Sequence, residues 1–84
     1  MARFIDHHAK LAVPPAEQLD AMRGRVGAGP DEFGVKAHNV HWTKDGQAYC
    51  LSEGPDADSV VRSHASIGVP LDQHEVHEIT ESLV

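Results

Sequence analysis

The dipeptide Asp45-Gly46 lies between two β-prone runs, "VKAHNVHW" and "QAYCLS", and it constrains this chain more than any other feature. Asp-Gly is a strong hairpin signal, so the two runs are expected to pair as antiparallel neighbours. Upstream, "RFIDHH" reads as a short strand centred on Phe4 and Ile5, and Pro14 and Pro15 then stop the extension. Pro15 opens a helix. From Ala16 to about Val26 the apolar residues Leu19, Met22 and Val26 recur at spacings of three and four, with acids early, arginines late and glycines following. "GAGPDEFG" is a connecting loop.

Downstream, Asp56 or Asp58 can cap a second helix that runs through Val60, Val61, His64 and Ile67 to Gly68. Val69-Pro70 breaks the chain, and "QHEVHEITESLV" is read as a fourth strand, although Val76, Ile79 and Leu83 also fit helical spacing. The order β-α-β-β-α-β is the ferredoxin-like plan, an α+β fold with a four-stranded antiparallel sheet. Right-handed crossovers put the first strand between the third and fourth, and the second strand at the edge beyond the third.

A chain of 84 residues forms one domain and buries a smaller share of its surface than larger domains do, so pairing with a second copy would add stability. Thirteen acids stand against seven Lys and Arg, and the basic residues form no dense cluster, which disfavours nucleic acid as a partner. Cys50 is the only cysteine, so no internal disulfide forms. "MARFIDHH" lacks the basic and apolar regions of a signal peptide, and no apolar run nears the roughly 20 residues that span a bilayer. The expectation is a cytoplasmic protein with no membrane association.

Seven histidines are the chemical signal. In the inferred topology His7 and His8 close the first strand, His41 closes the second, His74 and His77 lie near the start of the fourth, and His64 comes late in the second helix. Six of the seven therefore gather toward one end, His38 being the exception. Adjacent strand residues face opposite sides, as do residues three apart, so a single site takes one member of each pair. Neutral imidazole is the commonest ligand for zinc, copper and nickel, and carboxylates such as Asp6, Asp45, Glu75 and Glu78 can complete a nitrogen and oxygen shell. The candidate metal residues are Asp6, His8, His41, His64, His74 and His77.

Against this, HxH, HxxxH and HExxH spacings are all absent, and an exposed histidine is ordinarily only a solvated polar residue. Trp42 and Tyr49 flank the hairpin as a cross-strand pair with a packing role. Cys50 reads as a small core residue rather than a nucleophile, and a Cys-rich zinc site is excluded. "GAGP" lacks the lysine of a phosphate loop.

The stretch "DGQAYCLSEGPDADSVVRSHASIGVPLDQHEVHEI" resembles a small actinobacterial nickel-binding family with a ferredoxin-like fold, long catalogued as a domain of unknown function. The matching elements are Tyr49-Cys50, Gly54-Pro55, His64 and Gly68-Val69-Pro70, with a weaker match at "FIDHH", where Asp6 stands where members tend to have an acid. The resemblance implies a homodimer packed sheet against sheet, a dimeric α+β barrel, that binds nickel or a similar ion such as zinc, copper or cobalt. His64 is the histidine it carries across by position. His41 and Trp42 depart from the pattern, as does the shortened first helix region.

Two functions follow as expectations, with a partner-binding module that uses the exposed edge of the second strand as a third possibility. The first is a metal-binding protein that holds nickel or another divalent transition-metal ion through histidines. The alternative is a dimeric α+β barrel enzyme acting on a small organic substrate with a histidine as general base.

Overall fold

Strand β1 (Ala2–His8) runs through the middle of the domain and is followed by helix α1 (Ala16–Arg25) in this computed structural model, which describes residues 1–83. The central hairpin comprises β2 (Lys36–Trp42) and β3 (Ala48–Gly54), and helix α2 (Ala57–Ser66) leads through a single 3-10 turn (Gln73–Glu75) into β4 (Val76–Glu78). The sheet order is β2-β3-β1-β4 with every neighbour antiparallel, the ferredoxin-like arrangement.

The hairpin closes as the Asp-Gly signal requires. Gly46 takes φ +85°, a left-handed conformation that costs glycine little, and its amide donates to the Thr43 carbonyl. The Asp45 carboxylate accepts from Thr43 Oγ1 and from Gln47 Nε2, which locks the turn from its outer side. The irregular alternation of "VKAHNVHW" is a β-bulge: the register with β3 slips between Ala37 and Asn39, and His38 is the extra residue.

Two differences from the sequence reading concern this sheet and its end. Trp42 lies opposite Ala48, and Tyr49 opposite His41, so Trp42 and Tyr49 occupy different faces and form no cross-strand pair. The fourth strand is short: Asp72 caps a 3-10 turn by accepting from the His74 amide, and only Val76–Glu78 is extended beside β1.

Helix α2 begins at Asp56, whose carboxylate accepts from the Ser59 amide and hydroxyl, and passes to Gly68 at φ +78° just beyond its C-terminal end. It presents Val60 to the sheet, where Phe4, Val35 and Val76 complete a small apolar core, with Phe33, Ala57, Val61 and Leu71 packed around it. Gly54 leaves room for this packing, since a Cβ would crowd Val35 Cγ2 at 3.2 Å. Helix α1 is different. It buries no residue, and it stands off the sheet over a cavity. Among the described residues no helix is long and apolar enough to cross a membrane.

Candidate metal centre

Alternate residues of β1 point to the helix side of the sheet, and they grade from apolar to polar: Phe4, then Asp6, then His8, at 2%, 0% and 6% exposure. Only Phe4 belongs to the core. Cys50 is the direct register partner of Asp6 on β3, so its thiol projects to the same face. His64 lies one helical turn beyond the buried Val60 on α2, which places its ring over that face from above. Among the described residues this is the group of histidine, cysteine and acidic side chains whose donors converge: Asp6, His8, Cys50 and His64 each offer one ligand atom, all within 4.8 Å of one another.

The individual separations are tight. Asp6 Oδ1 is 2.7 Å from His8 Nε2 and 3.6 Å from His64 Nε2, and Cys50 Sγ is 3.6 Å from the same His8 nitrogen. The two rings are tilted against each other at 5.2 Å. The tautomer of His64 is fixed by the backbone: its Nδ1–H donates to the Val60 carbonyl at 2.8 Å, so in the neutral ring the lone pair of Nε2 faces the cluster.

The Asp6 carboxylate is incompletely partnered in this pocket. Asp6 is fully buried, yet neither carboxylate oxygen has a hydrogen bond of proper geometry, although Oδ1 is close to two imidazoles. A buried carboxylate normally accepts several hydrogen bonds. Burial pushes the Cys50 thiol up, and the neighbouring Asp6 carboxylate pushes it further in the same direction. A divalent ion reverses both effects, because it pairs with the carboxylate and deprotonates a coordinating thiol.

The donor set fits such an ion. Ligands 2.0–2.3 Å from a common centre in a tetrahedron are separated by roughly 3.3–3.8 Å, and two of the three separations given above are 3.6 Å. One oxygen, two imidazole nitrogens and one sulfur suit nickel, zinc, copper or cobalt and are too soft for magnesium or calcium.

Of the six residues expected from the sequence, Asp6, His8 and His64 come together and His41, His74 and His77 do not. His41 is exposed, opposite Tyr49 on the other face of the sheet. His74 lies in the 3-10 turn, where its Nδ1 is 2.9 Å from the Asp72 carboxylate, and its side chain is 90% exposed. His77 is exposed opposite Ile5. The physical reason is that the end of a sheet is not one place: strand alternation divides its side chains between two faces, and only one face is roofed by helices. His7 shows the same division. It bonds Glu75 at 2.7 Å and Gln47 at 2.6 Å and stacks on Tyr49 with ring centroids 4.9 Å apart, away from the cluster.

The sequence alone reads Cys50 as a packing residue. The signal that finds it is the β1–β3 register, which places it beside Asp6, and register is a tertiary property.

Three of the four cluster residues, His8, Cys50 and His64, also line the cavity of about 380 Å³ beneath α1. Asp31 lies on its rim and is fully engaged, accepting from Ser63 Oγ and from the Phe33 and Val35 amides. Burial opposes the ionised form of Asp31, and these hydrogen bonds outweigh it and hold the carboxyl below its ordinary value.

No family model and no curated protein matches the chain. Among solved structures, the crystal structure of SCO4226 from Streptomyces coelicolor A3(2) aligns with a TM-score of 0.74 at 32% sequence identity, covering 96% of this chain and 99% of the other.

Proposed function

We propose that this chain, which belongs to the family of the Streptomyces coelicolor protein, is a metal-binding protein that holds one late first-row divalent ion through Asp6, His8, Cys50 and His64. The observation that carries the reading is the buried Asp6 carboxylate, left without a well-formed hydrogen bond at the point where two imidazole nitrogens and a thiol converge. Nickel stands first among the ions, ahead of zinc, copper and cobalt, because the second half of the chain resembles an actinobacterial nickel-binding family. The ion supplies positive charge at the centre of the four donors, and the fold supplies their preorganisation. His64 is aimed by its bond to Val60, Asp6 and His8 by strand alternation, and Cys50 by register.

The same reading includes a homodimer. Ile5, Tyr49 and Leu51 alternate onto the sheet face opposite the cluster, and both helices lie on the cluster side. A face of this kind pairs with its own copy about a two-fold axis. Sedimentation of the native chain is expected to give a dimer, and Leu51→Asp a monomer.

The test of metal binding is calorimetry on tag-free protein at neutral pH with nickel, zinc, copper and cobalt in turn. Uptake of one ion per chain, with a thiolate-to-metal absorption band that Cys50→Ser abolishes, is the expected result. Failure of all four ions to bind refutes it. A second reading, an enzyme with His64 as general base, is favoured only by the cavity beside that residue.

A further inference from the structure

Helix α1 has apolar residues and no apolar partner for them. Leu19, Met22 and Val26 recur at helical spacing, yet the helix buries none of its residues, and between it and the sheet lies a chamber of about 380 Å³. Met22 and Val26 line it from above. Val35 and Val40 line it from the sheet side, and Ile67 and Val69 close it at the end of α2. Gly24, on the same helical wall, shows how far the layers stand apart, because a Cβ built on it would meet nothing within 4 Å. Apolar side chains that face a void lose their dispersion contacts on that side, so a fold that keeps one open gains when it is filled.

The charges on the wall decide what can fill it. Asp31 accepts from Ser63 Oγ and from the Phe33 and Val35 amides, and Arg25 on the same wall is near enough to act as its counter-charge. Neither is left to hold an ion. The cluster adds no net charge either, because a divalent ion held by the Asp6 carboxylate and the Cys50 thiolate is matched charge for charge. Asn39 Oδ1 accepts from the Val40 amide and His64 Nδ1 donates to the Val60 carbonyl, so both of these are engaged as well. A charged guest would be desolvated without a partner, and an inserted protein segment would bring peptide groups that this wall does not pair. An uncharged small molecule meets neither cost, and the volume lies within the range of small-molecule sites.

We infer that the chamber is a binding site for an uncharged, chiefly apolar small molecule, seated between Met22 and Val26 of the roof and Val35 and Val40 of the floor. The guest supplies the packing that α1 does not find against the sheet. Such a site goes beyond the metal centre and does not depend on it, since no contact of the guest requires an ion at the cluster.

The probe is N-phenyl-1-naphthylamine, an uncharged aromatic compound that fluoresces in apolar surroundings, titrated into the tag-free chain with and without nickel. Saturable binding of one probe per chain is expected in both states. Octanol is expected to displace the probe at least about tenfold more effectively than octanoate, which has the same chain length and a charge. Gly24→Phe and Val40→Phe, which fill the chamber from roof and floor, are each expected to weaken the probe at least about tenfold, and Tyr49→Ser on the opposite sheet face to leave it unchanged. Amide exchange in α1 is expected to slow when the probe is bound. Lack of saturable binding overturns the inference, as does equal displacement by octanol and octanoate, or an affinity that both filling variants leave intact. Should one filling variant fail to fold by circular dichroism, the other decides; should both fail, the octanol comparison and the exchange of α1 decide. Absence of nickel uptake overturns the metal reading alone, and absence of probe binding overturns this site alone.

Discussion

Asp6 and His8, two residues apart on β1 and both buried, hold carboxylate Oδ1 and imidazole Nε2 2.7 Å apart. The relationship sets the proposed metal site against stability. A buried carboxylate without good hydrogen bonds costs the folded state free energy that an amide of the same shape avoids. In metal-free buffer, Asp6→Asn is therefore expected to unfold at a higher temperature than the parent, by about 1 kcal/mol of stability. With nickel added the order reverses, since the parent gains the ion's binding energy and the variant loses most of it. Thermal melts of both proteins with and without nickel check this. A destabilised metal-free Asp6→Asn protein would show that the carboxylate already has adequate partners.

Cys50 gives a second readout. Its thiol is buried and pushed up in pKa by burial and by Asp6, so little thiolate is available at neutral pH. Iodoacetamide is expected to alkylate the native metal-free protein far more slowly than the same chain in denaturant, as followed by mass spectrometry. Nickel is expected to slow the reaction further, because the sulfur is then coordinated. Faster alkylation on adding metal would remove Cys50 from the ligand set.

His7 sets a pH dependence that is separate from the cluster. Its hydrogen bond to Gln47, then those to Glu75 and the charge of Glu75, raise its pKa above the ordinary 6.5. A raised histidine pKa stabilises the fold fully below about 6.5, and that contribution is lost as pH rises through the higher folded value. Denaturation midpoints of the metal-free protein are thus expected to fall more steeply between pH 6 and 8 (a window of roughly one unit about the ordinary value) than those of His7→Gln. Superimposable profiles for the two proteins would deny His7 this role.

The two helices are expected to respond unequally to truncation. Phe4, at 2% exposure against Val60 and Val76, is the largest fully covered apolar side chain, and Phe4→Ala should cost about 3–5 kcal/mol, a large part of a small domain's stability. Leu19→Ala on α1, where nothing is buried, should change stability by about 0.5 kcal/mol or less. Urea titrations of both variants compare them directly. A loss at Leu19 as large as that at Phe4 would mean that α1 is docked through contacts its side-chain exposure does not reveal.

The plan of the fold was legible because its signals are local. Asp45-Gly46 marks the hairpin, Pro15 and the spacing of Leu19, Met22 and Val26 mark the first helix, and Asp56 marks the second. Strand order then followed from handedness and connection rules. The site was half legible. Asp6 and His8 share a strand face by alternation, and His64 sits near a helix end, all of which can be read along the chain. Cys50 becomes a donor only through the β1–β3 register, and His41, His74 and His77 are kept apart from the cluster by which face the helices cover. Neither property is encoded within a few residues. The fourth strand is shorter than its sequence pattern implies for a related reason: Asp72 diverts the backbone into a 3-10 turn by a side-chain bond that competes with sheet pairing.

The separation of the chamber from the apolar core has an evolutionary consequence. Phe4, Val60 and Val76 hold the domain together without help from Leu19, Met22 or Val26, so the roof of the chamber is free to drift in sequence while the scaffold persists. Substitutions at Met22 or Val26 can therefore reshape the cavity while Asp6, His8, Cys50 and His64 keep their places on the sheet side of it.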